Sequence, residues 1–170
     1  LLCRLAGATL VAVSDLVPYR LRAARSLGAD LVVDAREESL AEAVRAETDG
    51  LGADVVFVTA PSLRAFEAGL AALRRGGTLL VFAPTEPGAS APLSLNRVFF
   101  HEITITASYS TTHLETRDAL ALLVRHRELF RRLITHEFSL EEAPEAFRLV
   151  RESKECLKVV ILNEGLSEIQ

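Results

Sequence analysis

The stretch TLVAVSDLVPYR, residues 9–20, decides how the rest of the chain folds. It opens with an apolar, partly β-branched run at 10–13 that is typical of a buried strand, and Asp15 ends this part. A helical pattern follows from Pro18, a residue that suits the first turn of a helix, and it ends at Gly28. A strand that ends in an acid and leads into a helix predicts a doubly wound sheet. In such sheets that carboxylate accepts hydrogen bonds from the ribose hydroxyls of a nucleotide.

Strand-like and helix-like patterns alternate through about the first 110 residues. Most of the strands are continuous apolar runs, which predicts a parallel sheet with both faces covered by helices. The run ITITASY at 103–109 alternates instead, and this favours an edge strand. Together these patterns predict an α/β fold with a Rossmann-like, doubly wound parallel sheet. The predicted strands of this part are 9–13, 31–33, 53–58, 78–82 and 103–109.

Two later helices have clear start signals. Ser62 is placed to cap a helix that would run to about Arg75, where the pair at 76–77 (Gly-Gly) predicts a tight stop. The segment 139–142 (SLEE) has the capping-box pattern and predicts a helix that reaches about Val150. Further strands are predicted at 133–138 and 157–162. They break the earlier alternation, so we expect them in a different layer or domain.

Composition limits the possible functions. The 170 residues, 49% hydrophobic and 25% charged, suit a well-packed globular domain. A net charge of -4 leaves no basic stripe and argues against nucleic acid or an acidic membrane surface as a partner. No apolar run approaches the roughly 20 residues that span a bilayer. The two cysteines form no disulfide framework, which favours a cytoplasmic location. Since the chain contains no Met, even at position 1, we expect it to begin partway through a longer protein.

Several stretches, taken in order, carry a family resemblance. They are GATLVAVSDLVPYRLRAARSLGAD (7–30), GADVVFVTA (52–60), LRRGGTLLVFAP (73–84), ITITASYS (103–110), LITHEFSLEEAPEAFRLV (133–150) and LKVVIL (157–162). Their order and spacing resemble the C-terminal half of the zinc-type alcohol and polyol dehydrogenases, of the sorbitol or threonine dehydrogenase kind, in the medium-chain dehydrogenase/reductase superfamily. The resemblance covers about residues 4–162.

The resemblance accounts for a missing motif. No G-x-G-x-x-G occurs in the chain, and in dinucleotide-binding folds the acid lies roughly 20 residues beyond that glycine loop. The loop and the first, central strand would therefore precede Leu1. By resemblance, residues 1–132 form a truncated NAD-binding Rossmann domain. Residues 133–170 form a tail that packs on a catalytic domain outside the chain, and zinc is expected only in that domain.

The resemblance also implies an activity for the intact protein. It would be an NAD-dependent dehydrogenase that passes a hydride from a small primary or secondary alcohol, or from a polyol, to the nicotinamide. No catalytic residue and no metal ligand is expected within the chain, because its four histidines and two cysteines show no ligand spacing. The chain alone is therefore expected to be inactive. The edge strand Ile103 to Tyr109 would join subunits into a homodimer or homotetramer.

The cofactor contacts are likewise implied by resemblance. Asp15 would bind the adenosine ribose and repel a 2′-phosphate, and Arg20 would lie near the adenine or ribose. The other candidate cofactor-binding residues follow the third, fourth and fifth strands or begin the last one: Thr59 and Ala60, Phe82 and Ala83, Ser108 and Tyr109, and Lys158. Plainer interpretations remain open: a turn-capping acid, a solvated arginine, an edge-strand tyrosine and an ordinary strand lysine.

Two other functions remain open at this point. The first is a zinc-free quinone or enoyl reductase of the same superfamily; such enzymes often use NADPH and prefer Ser, Thr or Arg near position 15. The second is a non-catalytic nucleotide-binding module that dimerises through its edge strand. Asp15 argues against the first of these, since its charge disfavours a phosphate.

Overall fold

The computed structural model of the chain describes residues 1–152 and 155–163. Helices and strands alternate through most of this part, and the strand pairings within it are parallel. The elements in chain order are α1 (Leu2–Leu5), β1 (Ala12–Asp15), α2 (Pro18–Ser26), β2 (Leu31–Asp34), α3 (Leu40–Ala46), β3 (Ala53–Val58), α4 (Leu63–Ala72), β4 (Leu73–Val81), α5 (Leu95–Phe100), β5 (Thr104–Ala107), α6 (His113–Arg125), α7 (Arg127–Arg131), β6 (Ile134–Ser139), α8 (Ala143–Glu152) and β7 (Lys158–Leu162).

The chain divides into two compact units. The first contains residues 1–11, 17–30 and the described residues from 111 onward, and the second contains residues 12–16 and 31–110. The division predicted at 132/133 stays a prediction, and the end of that predicted tail, 164–170, lies outside the described residues. None of the helices in the described ranges combines the length and the apolar character that a membrane span requires.

The second unit holds two parallel sheets. β1 pairs with β2, and β4 lies between β3 and β5. Rossmann-like sheets have the strand order 3-2-1-4-5-6. The β1–β2 sheet corresponds to the strands on one side of the central strand, and the β3–β4–β5 sheet corresponds to those on the other side. The central strand itself is not among the described residues. The predicted α/β class with a parallel sheet is confirmed. The expectation that 103–109 contains an edge strand is confirmed too, because β5 ends its sheet.

A single core stabilises the three-stranded sheet. Leu79 on β4 is completely buried, and α4 packs closely over the strands. The approach is close because α4 carries a glycine: a Cβ at Gly69 would come within 3.0 Å of Val56 Cγ1 and 3.2 Å of Leu79 Cδ1. Ser62 begins this helix as predicted, since its hydroxyl accepts a hydrogen bond from the Ala65 N–H at 3.4 Å. The buried members of the core are Val58, Leu70, Leu73, Leu79 and Ile103.

The prediction that Gly76 and Gly77 stop a helix is wrong. α4 ends at Ala72, and both glycines lie inside β4. The β3–β4 ladder is irregular here, and β4 bulges to accommodate extra residues. Gly76 has a φ of +68°, and a Cβ at Gly77 would lie 2.9 Å from the Arg74 carbonyl oxygen. The glycines are therefore needed for a strand bulge, which requires the same backbone freedom as a helix stop.

The expectation that helices cover both faces of the strands fails for β3. Successive side chains of a strand point to opposite faces. Val56 and Val58 lie on the face packed by α4, whereas Val55 and Phe57, on the other face, are 49% and 52% exposed. A continuous apolar run indicates that both faces suit burial, but it does not show that both are covered within the same chain.

In the first unit, charged side chains bridge separate segments. The Arg4 guanidinium pairs with the Asp30 carboxylate and donates to the carbonyl oxygens of Ala8 and Thr9 at 2.7 and 2.8 Å. The Val11 N–H donates to the second Asp30 oxygen at 2.7 Å. This backbone hydrogen bond, together with Arg4, lowers the pKa of Asp30.

The last two strands among the described residues form a sheet of their own. β6 and β7 pair in parallel from Ile134 with Lys158 to Ser139 with Leu162. The predicted capping box before α8 is confirmed: the Ser139 N–H donates to the Glu142 carboxylate at 2.9 Å, and the Glu142 N–H donates to Ser139 Oγ at 3.4 Å.

Candidate functional site

β3, β4 and β5 end in register, so their carboxyl ends lie together at one edge of the sheet. Val58 pairs with Val81, which in turn pairs with Ala107, so the three strands end at the same height. Backbone hydrogen bonds continue past these ends, because the Val58 carbonyl accepts from the N–H groups of Phe82 at 3.0 Å and Ala83 at 3.2 Å. Ligands of open parallel sheets bind outside the carboxyl ends of the strands.

This edge brings six predicted residues together. The Val81 carbonyl accepts from the Ser108 N–H at 3.2 Å, and this ties the segment after β5 to the end of β4. Two aromatic rings project here with large exposed fractions, 61% for Phe82 and 96% for Tyr109. These residues form an accessible, mostly uncharged surface at the carboxyl ends of the three strands. The predicted residues that lie directly beyond the three strands are Thr59 and Ala60, Phe82 and Ala83, and Ser108 and Tyr109.

Asp15 lies at the end of the other sheet, next to a second acid. It is the register partner of Asp34, and the two residues end β1 and β2 side by side. The N–H of Ala35, just beyond β2, donates to the Asp15 carbonyl at 3.1 Å. Two carboxylates therefore sit on neighbouring strands at an edge where ligands bind in such folds.

Arg36 binds the Asp34 carboxylate through a bidentate ion pair, called the fork below. Its Nε donates to Asp34 Oδ1 at 2.9 Å and its Nη2 donates to Oδ2 at 2.5 Å, while its backbone N–H adds a third bond to Oδ1 at 3.0 Å. Chiefly because of the Arg36 side chain, the pKa of Asp34 falls to about 2. The same pairing raises the pKa of Arg36. Both groups are thus charged throughout the physiological pH range.

The sequence predicted a strand at 31–33 but singled out neither Asp34, which follows that strand, nor Arg36 as a site residue. A usable signal was present, since LVVD at 31–34 repeats the pattern of VAVSD at 11–15, an apolar strand closed by an acid. In a parallel sheet, two such strands that are consecutive in sequence are often neighbours, and their terminal acids then meet.

Two predicted residues lie in the first unit. Arg20 is an exposed residue of α2, and Lys158 is the exposed first residue of β7. The Lys158 backbone is anchored, because its N–H donates to the Leu133 carbonyl at 3.2 Å and its own carbonyl accepts from Thr135 Oγ1 at 3.3 Å. Their participation in a site with Asp15 stays a prediction.

Strand order and parallel pairing define the general class, an α/β protein with Rossmann-like parallel sheets. The chain belongs to the zinc-binding dehydrogenase family, whose sequence model matches residues 1–125. It is 33% identical to the sorbitol dehydrogenase of Bacillus subtilis (strain 168) over 159 residues, which are 91% of this chain and 44% of that protein. The predicted family resemblance is confirmed.

Solved structures agree with this assignment. An alcohol dehydrogenase from Thermotoga maritima matches 96% of this chain and 46% of its own, with a TM-score of 0.87 and 31% identity. A protein from Sinorhizobium meliloti 1021, described as a zinc-binding dehydrogenase and solved with NADP bound, matches 95% of this chain and 47% of its own, with a TM-score of 0.82 and 26% identity. The chain spans less than half the length of each of these relatives.

The family name implies zinc, but the described residues do not fit that metal. Within residues 1–152 and 155–163, no three or more His, Cys, Asp or Glu side chains group together as a metal ion requires. The two cysteines, Cys3 and Cys156, are both free thiols, and Cys156 is buried.

Proposed function

We propose that this chain is the cofactor-binding part of an NAD-dependent, zinc-type alcohol or polyol dehydrogenase. The observation that carries the proposal is Asp15, a carboxylate at the carboxyl end of a parallel strand in a member of a dehydrogenase family. An acid in this position accepts hydrogen bonds from the ribose hydroxyls of NAD. Arg20 and Lys158 are proposed as further contacts to the cofactor.

The two sheet edges would hold the two ends of the cofactor. The acidic edge of β1 and β2 suits the adenosine ribose, and the uncharged edge of β3, β4 and β5 suits the nicotinamide. Because the N–H groups of Phe82 and Ala83 already donate to Val58, this segment would contact the carboxamide through its own carbonyl oxygens. Bound NAD supplies the hydride acceptor, and the chain supplies its position and orientation.

The same carboxylate supports a preference for NAD over NADP. A 2′-phosphate would bring further negative charge next to Asp15, which also counts against the alternative of a zinc-free, NADPH-dependent reductase. The Sinorhizobium protein was solved with NADP, so the family does not decide the cofactor and the residues of this chain must.

The remaining parts of the proposal concern the whole protein. Zinc and the selection of the alcohol or polyol would belong to a catalytic region outside the described residues, on which the segment from residue 133 would pack. The protein would act in the cytoplasm. The four residues of β5 are exposed and the strand ends its sheet, so its open backbone edge could pair with a second copy in a homodimer or homotetramer.

A neutral substitution at Asp15 tests the proposal. In the full-length protein, we expect Asp15→Asn to weaken NAD binding about tenfold or more, because hydrogen bonds to charged groups contribute about 1.5–3 kcal/mol. NADP binding should weaken less or improve. Dissociation constants from calorimetry measure both effects.

Asp54→Asn is the matched control. It removes the same charge from an exposed side chain that pairs with Arg74 near the amino end of β3, away from the ligand edge. We expect this variant to bind both nucleotides as the parent does. Unchanged NAD and NADP constants in Asp15→Asn would refute the proposed role of this carboxylate.

A further inference from the structure

We propose that Asp34 is a positioning residue for cofactor choice: it holds the Arg36 guanidinium in a fork and thereby withholds it from a 2′-phosphate. The inference rests on the proposed function, since it requires the nucleotide ribose to lie at the ends of β1 and β2. It adds a residue pair that acts against NADP independently of Asp15.

The backbone places Arg36 close to the proposed ribose position. Asp34 is the register partner of Asp15, and the next residue, Ala35, donates its N–H to the Asp15 carbonyl at 3.1 Å. Arg36 follows immediately. The turn that contains Arg36 is fixed, because the N–H groups of Glu37 and Glu38 donate to the Asp34 carbonyl at 3.0 and 2.9 Å.

The chemistry of Arg36 makes this position significant. A guanidinium binds phosphate through two parallel N–H groups, and an arginine near the ribose is the usual partner of the NADP 2′-phosphate. Asp34 already uses that fork, since it accepts from both Nε and Nη2 of Arg36. A 2′-phosphate would have to displace this carboxylate to use the same two donors. At Nη1, which takes no part in the fork, it would meet a guanidinium whose charge Asp34 already offsets.

Burial indicates that the pair does little for stability. The Arg36 side chain is 50% exposed and that of Asp34 is 21% exposed, and ion pairs of this accessible kind contribute little to folding. A substitution at Asp34 should therefore leave the fold in place and change mainly where the guanidinium points. This property separates a role in cofactor choice from a merely structural one.

The experiment measures NAD and NADP dissociation constants of the full-length protein by calorimetry. In Asp34→Asn the carboxylate is replaced by a neutral side chain of the same shape, and Arg36 is released from its ion pair. We expect NADP to bind about tenfold more tightly, with NAD affinity changed by less than about threefold. The NADP-to-NAD ratio is a readout that a loss of fold would not shift in this direction.

A double variant separates the two effects of this substitution. Asp34→Asn also removes one negative charge, which by itself favours NADP. Asp34→Asn/Arg36→Lys has the same net charge as Asp34→Asn but lacks the two parallel donors of a guanidinium, so most of the gain in NADP affinity should disappear. A gain that persists in the double variant would overturn the proposal, because charge relief alone would then explain it.

The positioning role of Asp34 and the proposed NAD-binding function can be refuted separately. If Asp15→Asn weakens NAD binding but Asp34→Asn leaves NADP affinity unchanged, the positioning role of Asp34 is wrong and the proposed function stands. If Asp15→Asn leaves NAD binding unchanged as well, the nucleotide does not lie at these strand ends and both proposals are wrong.

Discussion

The two edges of the second unit at which strands end are built differently. At the ends of β1 and β2, charged side chains dominate: Asp15 stands beside Asp34, which Arg36 holds in a bidentate fork. At the ends of β3, β4 and β5, backbone hydrogen bonds set the geometry, as when the Val58 carbonyl accepts from Phe82 and Ala83. At the first edge a few charged side chains set the geometry, and we propose that cofactor choice depends on them. The other edge depends on the sheet itself.

The largest effect should come from disturbing the sheet that supports the uncharged edge. Leu79→Ala should lower the free energy of unfolding by about 2–5 kcal/mol, because Leu79 is completely buried and its truncation leaves a cavity. Denaturant titration measures the loss. Val55→Ala on the neighbouring strand is the control, and its cost should be much smaller since Val55 is 49% exposed. Equal losses in the two variants would contradict the assigned core.

A smaller effect should appear at the charged edge when the fork is broken. Arg36→Gln should raise the Asp34 pKa from about 2 towards its ordinary value of 3.8, because the guanidinium is the main cause of the depression. Carboxyl chemical shifts followed by NMR during an acid titration measure this change. A pKa of Asp34 that stays near 2 in the variant would show that the fork is not its cause.

The Asp34–Arg36 pair should also make the free energy of unfolding depend on pH. The Asp34 pKa is lower in the folded protein than in the unfolded chain, so the small stabilisation that this accessible pair gives is present above about pH 4 and is lost as the pH falls through about 2. The stability difference between the parent and Arg36→Gln should therefore be constant from pH 8 to about 5, shrink as the pH approaches 2 and vanish below it. Urea titrations at several pH values measure it. A difference that grows below pH 4 would have the wrong sign.

The smallest effect should come from a polar side chain at the uncharged edge. Ser108→Ala should change NAD affinity by less than about threefold, since the backbone of this segment is tied to Val81 and the hydroxyl is not needed for its geometry. Calorimetry on the full-length protein measures it. A tenfold loss would show that this edge, like the charged one, binds through side chains, and would remove the contrast between the two.

Sequence patterns predicted well what depends on local chemistry. The bounds of β3, the Ser62 cap and the capping box at Ser139 were all predicted, because hydrophobic runs and capping side chains act over a few residues. The parallel pairing was predicted as well, since long helical connections between apolar strands leave few other arrangements.

The features that the sequence did not predict depend on contacts between separate segments or on side-chain rotamers. The Gly76–Gly77 pair was assigned to a helix stop because a bulge and a stop need the same backbone freedom, and only the pairing of β4 with β3 distinguishes them. Val55 and Phe57 look buried in sequence because apolar character does not reveal which face lacks a cover. The fork of Arg36 on Asp34 depends on rotamers, which no pattern of residue types specifies.

The central claim is that the carboxyl ends of β1 and β2 hold the adenosine ribose of a nicotinamide dinucleotide. A crystal structure of the full-length protein with NAD bound tests it most directly. We predict an Asp15 carboxylate oxygen within hydrogen-bond distance of a ribose hydroxyl, about 2.5–3.0 Å, with Arg36 still forked on Asp34. A bound ribose that contacts neither Asp15 nor the turn after β2 would contradict the claim.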